Sequence, residues 1–75
     1  MAYFLRIGNE DLEDVEGFPS EEMAVAEFTK IARGLLRYGQ KVEGSIYIAD
    51  LLDAFPYPDF VLSLDPLDEV CVEPA

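Results

Sequence analysis

"SEEMAVAEFTKIARGLLRYG", residues 20–39, decides how the rest of the chain is arranged. Ser20 follows Pro19 and precedes Glu21 and Glu22. A hydroxyl there can accept from a free backbone N–H of the first turn, and the two acids complement its partial positive charge. From this point to Tyr38 the apolar residues recur at helical spacing. Ala24, Phe28, Ile31 and Leu35 make one row, with Val25, Ala32 and Leu36 beside it. Glu22, Ala26, Thr29, Lys30, Arg33 and Arg37 fall on the other side. Gly39 stands where a left-handed residue ends a helix. The spacing predicts a helix over about 20–38. Gly34 within it costs up to ~1 kcal/mol relative to alanine, an expense expected where a neighbour packs closely.

One amphipathic helix needs an apolar surface to cover, and the flanking segments supply strands. "AYFLRIG" alternates, with Tyr3, Leu5 and Ile7 on one face and Phe4 and Arg6 on the other. "GSIYIAD", 44–50, places Ile46 and Ile48 opposite Tyr47, and "FVLSL", 60–64, places Phe60, Leu62 and Leu64 opposite Val61 and Ser63. These readings give an α+β fold of order β-α-β-β: strands at about 2–8, 44–50 and 60–64, with the helix on one face of a three-stranded antiparallel sheet. The helix is expected to cover Leu5, Ile7, Ile46, Ile48, Leu62 and Leu64. The spatial order 1-3-2 is favoured over a parallel pairing of the first two strands. An acidic loop (9–19), a long loop (51–59) and a loosely ordered acidic tail (65–75) complete a single small domain.

"YFLRI" (3–7), "DVEG" (14–17), "ARGLL" (32–36), "IYIAD" (46–50) and "VLSL" (61–64) resemble, in order and spacing, a family of short bacterial domains of unknown function, the one numbered 6894. The resemblance spans nearly the whole chain. It implies a strand, a turn, an alanine-rich helix and a closing pair of strands in a bacterial protein, and it implies no activity. Arg6 stands where that family often has histidine, and "LLDAFPYPD" replaces its compact glycine turn.

Sixteen acids against five bases give the 75 residues a net charge of −11. That balance argues against direct nucleic-acid binding and against anionic membrane surfaces. Lys30, Arg33, Arg37 and Lys41 form a cationic strip on an otherwise acidic chain. No apolar run reaches the ~20 residues needed to span a bilayer. A lone cysteine, Cys71, makes no internal disulfide, which fits a reduced, cytoplasmic location.

Absent residue types narrow the chemistry. Without histidine, His-based nucleophile activation and His-dependent acid–base catalysis are lost, and with a single cysteine the usual zinc sites are too. The five glycines form no phosphate-binding loop. "NEDLEDVEGFPSEEM", 9–23, carries seven carboxylates but fails a calcium loop: Asp14 stands where glycine is needed and Ser20 where the bidentate glutamate belongs. The expectation is a non-enzymatic protein with no metal and no cofactor.

Two binding readings follow. One helix leaves the sheet's second face bare, carrying Phe4, Arg6, Tyr47 and Val61, with Phe55 and Tyr57 in the neighbouring loop. Grouped aromatics there suggest a contact surface for a homodimer or an unidentified protein partner, unless loop 51–59 or the tail folds over them. The alternative is an acidic mimic of nucleic acid, of the phage-inhibitor type, presenting Glu10, Asp11, Glu13, Asp14 and Glu16 to a basic groove. The bland account of the same acids is solvation and helix capping.

Overall fold

A computed structural model describes residues 1–50 and 58–74. Five elements follow in order: β1 (Ala2–Ile7), α1 (Glu21–Leu35), β2 (Val42–Ala49), a short helix α2 (Pro58–Leu62) and β3 (Asp68–Val72). The fold is α+β, with α1 packed on a three-stranded antiparallel sheet.

α1 begins and ends as its residues dictate. The Ser20 hydroxyl accepts from the Met23 N–H at 3.2 Å, on an extended residue with φ −147°. At the far end a 3-10 turn, Leu36–Tyr38, tightens the chain, and Gly39 closes it at φ +77° with its N–H on the Leu36 carbonyl. Ala24, Phe28 and Ala32 are the buried positions of α1. They meet Leu5, Ile7, Val42 and Ile46 of the sheet, with Val25, Ile31, Leu36, Val70 and Val72 half-buried around them. Full burial of an aromatic such as Phe28 contributes about 1.5–3 kcal/mol. Leu35, assigned to the buried row by spacing, is exposed, and Ile48 is only half-buried. Gly34 has nothing within 4 Å of where a Cβ would stand, so no close neighbour explains it. The close approach occurs instead at Gly44 on β2, beneath Phe28.

Three expectations are corrected. The sheet order is β1-β2-β3, with both pairings antiparallel. The third strand is not 60–64, which lies in and just after α2, but Asp68–Val72 in the acidic tail. Leu62 and Leu64 do not lie under α1; they pack on the opposite face of the sheet. A short alternating apolar run is compatible with either a strand or a helical turn, and here helix wins. Val61 is then the fully buried residue of the segment while Phe60 is exposed.

The acidic segment also has a defined place. Tyr3 and Phe18 exchange two backbone hydrogen bonds, of 2.9 and 2.7 Å, and the Glu13 N–H donates to the Leu5 carbonyl at 2.9 Å. A second antiparallel bridge joins Arg6 to Leu12. Residues 12–18 therefore run along the outer edge of β1 and close it. Leu12, the buried residue of this stretch, inserts into the second-face cluster.

Candidate binding surface

The sheet's second face is divided between a filled half and an open half. In the filled half, Phe4 and Tyr47 are cross-strand partners, buried with Ala2, Leu12, Ala49 and Val61, and backed by Leu62 and Leu64. Phe4 and Val61 are fully buried and Tyr47 is 4% exposed. The aromatic contact surface expected from the sequence is therefore an interior, capped by α2 and the residues following it. Phe55 and Tyr57 lie outside the described residues.

The open half begins one pair further along the ladder. Arg6 pairs with Ser45 and Ser45 with Glu69, while Glu43 pairs with Cys71. Successive strand residues alternate faces, and Val70 and Val72 pack toward α1. Glu69 and Cys71 consequently share the second face with Glu43 and Ser45. Together with Asn9 these residues line an open cavity of about 360 Å³. None of Glu43, Glu69 and Cys71 is buried, and Ser45 is half-buried.

Arg6 sits at one border of this region, and two of its N–H donors hold the adjoining turn. Nε donates to the Glu10 carbonyl at 2.8 Å and Nη2 to the Asn9 carbonyl at 3.2 Å. The side chain pins the turn into the acidic segment, a structural task the sequence did not disclose. Lys41 lies at another border, 3.0 Å from the Glu43 carboxylate. That hydrogen bond, then the charge of Glu43, holds the Lys41 ammonium above its ordinary pKa, with Cys71 and Glu73 adding in the same direction.

Backbone geometry makes one border of this half distinctive. The Gly8 N–H donates to the Glu43 carbonyl at 2.8 Å, which fixes the alternation of the ladder. On β2, the backbone groups of Glu43 and Ser45 face β1, and those of Val42, Gly44 and Ile46 face β3. On β3, Val70 and Val72 turn their backbone groups inward, whereas Glu69 and Cys71 turn theirs outward. The Glu69 N–H already accepts cover from its neighbour, donating to Asp68 Oδ1 at 2.9 Å. That leaves the Glu69 carbonyl and both groups of Cys71 on the outer edge. Among the described residues, no segment pairs with this edge.

Elsewhere the charge is dispersed. Glu10, Asp11, Glu13, Asp14 and Glu16 are all exposed along the segment that closes β1. Asp14 Oδ1 accepts from the Glu16 N–H and the Asp14 carbonyl from the Gly17 N–H, so part of the row serves its own turn. Of the cationic strip, Lys30 is 3.9 Å from Glu27, and the Arg37 guanidinium lies 5.2 Å from the centre of the Tyr38 ring. No group of three or more metal-ligating side chains occurs among the described residues. No helix among them is long and apolar enough to cross a membrane. Comparison with protein-family models, curated proteins and solved structures finds no match for the chain.

The residues that sequence reasoning missed are Glu43, Ser45, Glu69 and Cys71. The available signal was Val70-Cys71-Val72, an alternating β-branched triplet inside what reads as a charged tail.

Proposed function

We propose that this chain is a small non-enzymatic interaction domain that binds a protein partner through the open half of its sheet. The observation that carries the reading is the unequal treatment of the two faces and edges. Apolar side chains fill one half of the second face, and a chain segment closes the β1 edge. The half bearing Glu43, Ser45 and Glu69 stays open beside an edge with outward-facing backbone groups. Self-association through Phe4 and Tyr47 has no support, since their own chain buries them.

Site-specific photocrosslinking in the native host tests this reading. A photoreactive residue at Ser45 should give a discrete adduct with one protein, and the same residue at Ala26, exposed on the outer side of α1, should not. Adducts from position 26 alone would overturn the assignment.

The acidic-mimic reading keeps one specific support: five exposed carboxylates on a backbone held to β1. It requires adducts from positions 11 or 14 rather than 45, with capture that weakens steeply with salt.

A further inference from the structure

A sheet edge recognises chain in a way that a charged face does not. Outward N–H and C=O groups on alternate residues form a template for one more strand, and the side chains beside them select which strand it is. Here the template centres on Cys71, whose two backbone groups can be exchanged with a single residue opposite it. The side chains around it are Asp68, Glu69 and Glu73, with Glu43 across the ladder. Lys41, 3.0 Å from Glu43, is the one cation beside them among the described residues, so the acids remain in excess. A second copy placed on this edge would set acids against acids, which opposes pairing. A neutral strand gains no electrostatic help. A basic strand gains attraction along its length.

Resting on the interaction-domain reading above, we infer that the outer edge of β3 takes up an extended, lysine- or arginine-rich segment of a partner protein as a fourth strand. Its backbone pairs with Cys71 and the Glu69 carbonyl. Its basic side chains on the second face meet Glu43 and Glu69 in the open cavity, and Asn9 and Ser45 offer that cavity further polar contacts.

The test uses the full chain and a short capped peptide of alternating lysine and valine. A second peptide has the same sequence with backbone N-methylation at alternate residues; a third replaces lysine with glutamate. Amide hydrogen exchange and chemical shifts are followed by NMR. The unmodified basic peptide should slow exchange of the Cys71 amide and shift β3 resonances. Methylation, which keeps charge and removes ladder donors, should weaken binding by about tenfold, the loss expected for one or two hydrogen bonds. The acidic peptide should not bind.

A Cys71→Pro variant removes the same outward donor from the protein side. Proline is tolerated on edge strands when its nitrogen faces away from the ladder, so this variant should fold and lose binding, while Cys71→Ser keeps it. Equal binding of the methylated peptide would overturn strand addition and leave a purely electrostatic contact. Shifts confined to residues 10–16 would overturn the location. A Cys71 amide protected before any peptide is added would mean that the chain itself or a second copy holds the edge, and the inference fails. Absence of peptide binding would sink this inference alone, because crosslinking at Ser45 reads the broader proposal independently.

Discussion

Phe28 packs so closely over Gly44 that a Cβ added to the glycine would stand 2.8 Å from two of its ring carbons. The Arg6 carbonyl stands 3.2 Å away, and Phe28 is itself buried, so relief requires a shift within the core. Gly44→Ala should therefore destabilise the fold by about 1–3 kcal/mol, the range for overpacking a core. Urea unfolding measures it; a variant as stable as the parent would mean that Phe28 has another low-energy position.

Gly34 is the internal control. It lies in α1 with ordinary helical backbone and open space around it. Gly34→Ala should stabilise by about 0.5–1 kcal/mol through helix propensity and a less free unfolded chain. Two identical substitutions are thus expected to act with opposite sign in one denaturation series.

Gly17 links the acidic segment to the sheet. Its φ is +76°, and a Cβ would meet the Tyr3 carbonyl at 2.9 Å and Phe4 Cε1 at 3.0 Å. Gly17→Ala should lift residues 12–18 from β1 and raise amide exchange at Tyr3 and Phe18, which protect each other. Unchanged exchange at those two amides would show that the segment adapts without releasing the edge.

Phe4 distinguishes an interior from an interface. Being fully buried beside Tyr47 and Val61, it should cost about 3–5 kcal/mol as Phe4→Ala, a large share of the stability of so small a domain. A variant that keeps its unfolding midpoint and changes only its sedimentation would restore the contact-surface reading of the aromatic residues.

Lys41 predicts a response to alkali. Glu43 raises its pKa in the folded chain, so the folded state holds this proton more tightly than the unfolded one. The stabilisation is fully present below the unfolded value of about 10.4 and disappears as pH rises through the folded value. Both side chains are largely solvated, so the effect is small. Lys41→Met should flatten that part of the alkaline stability profile and leave the profile near neutrality almost unchanged.

The sequence disclosed those elements whose local chemistry and burial agree. Ser20, the apolar spacing and Gly39 all point to one helix, and the structure uses Ser20 and Gly39 as expected. Of the row Ala24, Phe28, Ile31 and Leu35 it buries the first two, half-buries Ile31 and exposes Leu35, while Ala32 of the flanking row is buried. β1 and β2 were legible because Leu5, Ile7 and Ile46 alternate with residues of the other face. The last third was misread for a physical reason. β3 is an edge strand that exposes Asp68, Glu69 and Cys71, so charge masked the β-branched residues it turns toward α1. Val61 was placed on the correct side of the sheet but reaches it from a helix instead of from within the sheet. The open half-face was invisible because it depends on strand order: with β3 beside β2, Glu43, Ser45, Glu69 and Cys71 become neighbours across two ladders. Leu12 and Phe18, apolar residues in an acidic stretch, carried the hint that it is tied down.

Closing one flank of the sheet with residues 12–18 sets a limit on stoichiometry. A guest accepted on the opposite flank finds a host that cannot propagate the ladder past β1. Among the described residues, the β1 rim is already taken by residues 12–18 and offers no place for a second copy to stack. Under the proposed strand addition, uptake on β3 stops at one guest per copy, because residues 12–18 already occupy the β1 edge.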